Sequence, residues 1–121
     1  MKLNSNQKIY LGDRSIEKII FETMKNKITI VFDCLSIFEK ENWNPGESID
    51  IDNCSVDFLD VKNYDIFPKG MMPNDYIVSI EISESNLRLK TLGELYNLEN
   101  LDYETVEGYI SIEYGDYFIH V

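Results

Sequence analysis

The chain has 121 residues, 44% of them hydrophobic, and carries a formal net charge of −11 from 22 acidic and 11 basic side chains. That length suits one domain, residues 1–121, long enough to bury a core without disulfides or metals. Seven bases stand against six acids up to residue 46, and four against sixteen from residue 47 onward; such a field repels phosphate backbones and anionic lipid, which argues against nucleic-acid and membrane partners.

Eight Tyr, six Phe and one Trp, with many Ile and Val and not one Ala, suit pleated surfaces better than helices. The expectation is a mainly β fold: an antiparallel curved sheet forming a partial barrel or small sandwich, with one or two short helices. In chain order, residues 16–23 fit either a strand or a helical face, since Ile16, Ile19, Ile20 and Met24 share helical spacing. β-branching and the polar turn after them favour a hairpin into residues 28–35. There Ile28, Ile30, Phe32 and Cys34 alternate with Thr29, Val31 and Asp33, the signature of a half-buried strand. Residues 36–42 suit one helical turn or a loop, and Pro45 and Gly46 mark a turn. Ile49 and Ile51 alternate with Asp50 and Asp52. Cys54, Val56 and Phe58 continue the pattern, and the slip at Leu59 suggests a bulge.

Residues 63–75 hold Pro68, Gly70 and Pro73 and read as a loop. Tyr76, Val78, Ile80 and Ile82 mark a clear strand, with Leu87 and Leu89 in a shorter one. Leu92, Leu95, Tyr96 and Leu98 suggest a broken helix in residues 91–107, which carry five carboxylates and no base. At the end, Gly115 and Asp116 suit the centre of a tight hairpin turn. That register pairs Tyr114 with Tyr117, Ile112 with Ile119 and Ile110 with Val121, all on one face, and sets Ser111 beside His120.

The chemistry-bearing residues are few. His120 is the only histidine, and a Ser111–His120 pair lacks an orienting third group and an exposed nucleophile. Cys34 lies on the apolar side of its strand, where burial raises a thiol pKa. The N-terminus lacks the apolar run of a signal peptide, so the expected compartment is cytoplasmic and both thiols stay reduced. Asp50, Asp52, Asp57 and Asp60 offer oxygen ligands for a hard cation, but the EF-hand pattern fails at its fifth, sixth and twelfth positions. No metal and no cofactor are expected. What remains is an interface: Tyr64, Tyr76, Tyr96, Tyr103, Tyr109, Tyr114 and Tyr117 fall within the acidic two thirds, and tyrosine gives rigid contact area at low entropic cost.

The segments Leu11-Gly-Asp-Arg-Ser-Ile16, Ile28-Thr-Ile-Val-Phe32 and Met72-Pro-Asn-Asp-Tyr-Ile-Val-Ser-Ile80 resemble small acidic bacterial proteins of the kind found as immunity proteins in polymorphic-toxin systems. That resemblance implies a short, β-rich, cytoplasmic chain that covers the active surface of a toxin; it carries over no binding residue. The expectation is therefore a non-catalytic protein-binding domain for a basic partner, a toxin domain being one candidate. Its contacts would come from Asp50, Asp52, Asp57, Asp60, Glu99, Asp102, Glu104 and Glu107. The alternatives are a metal-dependent enzyme using the carboxylates of residues 50–60, and a structural or self-associating module.

Overall fold

The computed structural model describes residues 1–10, 14–39, 46–70 and 76–121. Eleven strands and one short 3-10 turn make up the described elements. They are β1 (Lys8–Tyr10), β2 (Ile16–Glu22), the turn Thr23–Lys25, β3 (Lys27–Phe32), β4 (Cys34–Phe38), β5 (Ile49–Asp52) and β6 (Ser55–Leu59). Then follow β7 (Asn63–Phe67), β8 (Tyr76–Ile82), β9 (Asn86–Asn97), β10 (Asp102–Glu113) and β11 (Asp116–Ile119). All pairings are antiparallel and form three sheets, ordered β1-β4-β5, β7-β10-β9-β8 and β11-β6-β3-β2.

None of the sheets closes into a barrel. The two four-stranded sheets face each other, as strands with one apolar face must. Ile19, Phe21, Ile28 and Ile30 of one line a narrow gap with Tyr64, Ile66, Ile110 and Ile112 of the other. Phe58 and Tyr114 bridge the same interior with ring centroids 5.0 Å apart. Leu35 brings the three-stranded sheet into this buried cluster. The expected β architecture thus holds, and residues 16–23 are strand and turn rather than a longer helix.

Several local expectations need correction. The strand predicted through residues 28–35 breaks at Asp33. Its Oδ1 accepts from the backbone N–H of Ser15 (3.0 Å) and of Cys34 (2.7 Å). A side chain that bonds neighbouring backbone competes with the ladder, and here it turns the chain out of one sheet into another. Across the corner, Asn53 takes a positive φ of 49° and donates its N–H to the Asp33 carbonyl. The phase flips: Leu35 and Ile37 are buried and Cys34 is half-buried, on the opposite side from the core. Residues 36–38, expected as a helical turn or loop, continue β4; of the turn predicted at Pro45 and Gly46, Pro45 lies outside the described residues and Gly46 is in a turn with Glu47.

At Leu59 strand β6 ends and Asp60 bends the chain at φ 56°; no register shift marks a bulge there. The bulges fall between Ile16 and Lys18 and between Ile77 and Ser79. The loop predicted for residues 63–75 begins with strand β7, which stops where Pro68 offers no N–H to a ladder; residues 71–75 lie outside the described set. Residues 91–107 hold no helix but most of a long hairpin, because Leu92, Tyr96 and their neighbours find cross-strand partners in β10.

The C-terminal hairpin does not form. β10 pairs with β9 and β7, and β11 pairs with β6 in the facing sheet. Tyr114, Tyr117, Ile112, Ile119 and Ile110 are all buried as the alternation demands, yet they meet across the interior instead of along one ladder, and Val121 is exposed. Gly115 lacks the positive φ the hairpin required. What it needs is space: an added Cβ would lie 2.9 Å from the Asp60 Cβ.

Candidate functional site

β9 and β10 pair over twelve rows, from Asn86–Glu113 to Asn97–Asp102. Among the described residues their neighbours stop early: β8 reaches only Leu92, and β7 only Tyr109. Beyond those rows the hairpin runs on as a two-stranded arm, tipped by residues 98–101. The tip is braced locally. Asn97 Oδ1 accepts from the N–H of Glu99 (2.8 Å) and Asn100 (3.3 Å). Glu104 Oε1 accepts from the amides of Asn97 (2.7 Å) and Asn100 (3.3 Å). Leu101 completes the turn in the left-handed region at φ 54°.

The sequence dictates what the arm displays. Directly paired residues share a face, so Tyr96 and Tyr103 sit together, their rings edge-on at 5.1 Å. Leu95 and Glu104 share the other face. Leu98, Leu101 and Tyr103 are 79%, 74% and 62% exposed, and apolar exposure gathered in one place marks interaction surfaces more often than the same residues scattered singly. Glu94, Glu99, Asp102, Glu104 and Glu107 surround them, all exposed, and none forms an ion pair with another described residue. The arm is an acidic, tyrosine- and leucine-bearing projection.

Of the eight carboxylates expected to bind a partner, four lie on this arm: Glu99, Asp102, Glu104 and Glu107. The others are elsewhere. Asp50 and Asp52 point outward from β5 at an edge of the three-stranded sheet. Asp60 sits in the β6–β7 turn. Asp57 is committed internally, on the outer face of its sheet. Its Oδ1 accepts from the Thr29 hydroxyl at 2.7 Å, and its Oδ2 lies 2.7 Å from His120 Nε2 and 3.4 Å from Lys27 Nζ. Burial alone would raise the Asp57 carboxyl, but these hydrogen bonds and the Lys27 charge hold it below the ordinary carboxylate value. His120 therefore answers to Asp57, not to Ser111, which faces Asp65 and Arg88 across the other sheet.

Among the described residues, no three of His, Cys, Asp or Glu gather to hold a metal ion. Open depressions of about 590, 510 and 610 Å³ among the described residues are lined by none of Asp50, Asp52, Asp57 and Asp60. Both cysteines are free. Burial pushes the Cys54 thiol up to about 11 and raises Cys34, the latter against the nearby Arg14 guanidinium. No described helix is long and apolar enough to cross a membrane.

Of the seven tyrosines singled out, Tyr114 and Tyr117 are core residues, while Tyr64, Tyr76, Tyr96, Tyr103 and Tyr109 are exposed. Leu95, Leu98 and Leu101 were missed as surface residues because their spacing also fits a buried helical stripe. The run of acids around them was the available signal.

No curated protein and no solved structure matches the chain. One family model does, over residues 2–110, a span that includes the whole acidic arm and leaves out β11. By that match the chain belongs to the family of unknown function DUF6258.

Proposed function

We propose that this chain is a non-catalytic protein-binding domain, and that its β9–β10 arm captures a basic partner in the way an immunity protein covers a toxin domain. The observation that carries this reading is the arm itself. Residues 91–107 hold five carboxylates and no base, and the same stretch exposes Leu95, Tyr96, Leu98, Leu101 and Tyr103. Aromatic and aliphatic anchors supply contact area, while the acids steer a cationic surface inward and reject anionic ones. Asp50, Asp52 and Asp60 extend the same field on other elements; Asp57 contributes no free charge, being tied to Lys27 and His120.

Co-purification with the product of the neighbouring gene, at low and high salt, tests the reading. The variant D102K/E104K/E107K is expected to slow association at least tenfold at low salt, with little change at high salt, since steering is screened there. No complex at low salt, or one indifferent to the three reversals, overturns it.

A further inference from the structure

We infer that the edge of β10 over residues 102–107, which no described strand covers, takes an extended, lysine-bearing segment of another protein as an added β-strand. This rests on the arm being the contact surface and specifies how it makes contact. β9 covers one side of β10 along its whole length. On the other side the described pairing is β7 against Tyr109 to Glu113, and Pro68 ends that strand. In an antiparallel ladder every second residue directs its N–H and C=O away from a given neighbour. Residues 102–107 therefore present a row of such groups with no described strand beside them, on residues whose side chains are exposed except for half-buried Val106.

Folded proteins blunt edges of this kind with bulges, prolines, lysines, short strands or a covering segment. Most of the other edges here follow that rule, the exception being β9 over residues 93–97, which also runs past its described neighbour. β2 and β8 carry bulges. β11 is covered by the N-terminus, where the Ile119 N–H donates to the Met1 carbonyl at 2.8 Å and the Met1 amino group to the Ile119 carbonyl at 2.5 Å. β1 and β5 have three and four residues. Residues 102–107, Asp-Tyr-Glu-Thr-Val-Glu, have no lysine, proline or bulge, and their register with β9 is unbroken. Negative charge is their only guard.

That charge also selects the occupant. A second copy adding along this edge would set carboxylates opposite carboxylates, which is destabilising. A strand with lysine at alternate positions sets ammonium groups beside Asp102 and Glu104 on one face, and places its intervening residues against Tyr103 and Thr105 on the other. Backbone bonds give such strand addition its affinity, and the alternate side chains its selectivity.

The test uses the full chain, isotopically labelled, with a ten-residue peptide of alternating Lys and Thr and a twin methylated on every backbone nitrogen. Amide exchange is followed residue by residue at low salt. The peptide is expected to slow every second amide within residues 102–107 at least tenfold, and the methylated twin to slow none. Peptide and twin binding equally, with no amide slowed, overturns strand addition while leaving the arm as a charged contact surface, whose own failure is read from the charge-reversal co-purification. Slowed exchange at this edge without peptide, with a dimeric mass, makes the occupant a second copy and overturns the proposal as well.

Discussion

Replacing Gly108 by alanine should loosen the base of the arm. Gly108 pairs with Thr91 on the core face of its sheet, and an ideal Cβ there would lie 2.6 Å from the Phe67 carbonyl oxygen, 2.9 Å from Thr91 Oγ1 and 3.3 Å from Pro68 Cδ. Carbon and oxygen approach comfortably at about 3.3 Å, so the end of β7 must retreat by roughly 0.7 Å. The closest atom belongs to backbone, not to the tip of a flexible side chain, so the strand itself must shift. Overpacking of this kind costs about 1–3 kcal/mol. For 121 residues, an unfolding entropy of about 2.1 cal/mol/K per residue converts each kcal/mol into a Tm change of about 4 °C. The expected fall is therefore about 4–12 °C in a thermal scan, with faster amide exchange at the Phe67–Tyr109 row, whose rings stack at 5.5 Å. A Tm within 1 °C of the parent would refute the close-approach argument.

Three further outcomes concern Tyr114, Asp57 and Cys54. Tyr114→Phe removes a hydroxyl that donates to the Ser83 carbonyl at 2.5 Å and lies 3.0 Å from that of Asn86; equilibrium unfolding should show a loss of about 1–2 kcal/mol, and an unchanged midpoint would contradict it. Because the folded Asp57 carboxyl lies below its ordinary value, its contribution is present above about pH 4 and is lost as pH falls through the folded value. The stability gap between parent and Asp57→Asn, measured by urea unfolding, should thus be full at pH 6 and shrink toward pH 2.5; a gap independent of pH refutes the assignment. Cys54, buried with a thiol pushed up to about 11, should resist iodoacetamide at pH 8 until the chain unfolds, and labelling as fast as free cysteine would show the burial to be wrong.

Period-two alternation in the sequence marked most of the strands and much of the core, but it missed Leu35, Ile37 and Ile77, and Tyr76 and Val78 of the expected alternation are exposed. Ile28, Ile30, Phe32, Val56, Phe58, Ile110, Ile112, Tyr114, Tyr117 and Ile119 are buried because a strand's side chains alternate faces whatever it pairs with. The unequal charge distribution likewise marked residues 91–107 before any coordinates did. Only the tertiary structure decided which ladders form. The final strands keep their expected facing but meet across two sheets, since alternation constrains which face a residue takes and says nothing of the neighbour beside it. The Asp33 corner rests on hydrogen bonds to a backbone eighteen residues away, and the arm's strand character rests on a partner strand that supplies Tyr103 for Tyr96. Helical spacing in residues 92–98 competed with that pairing, and cross-strand contact, which local sequence does not contain, won.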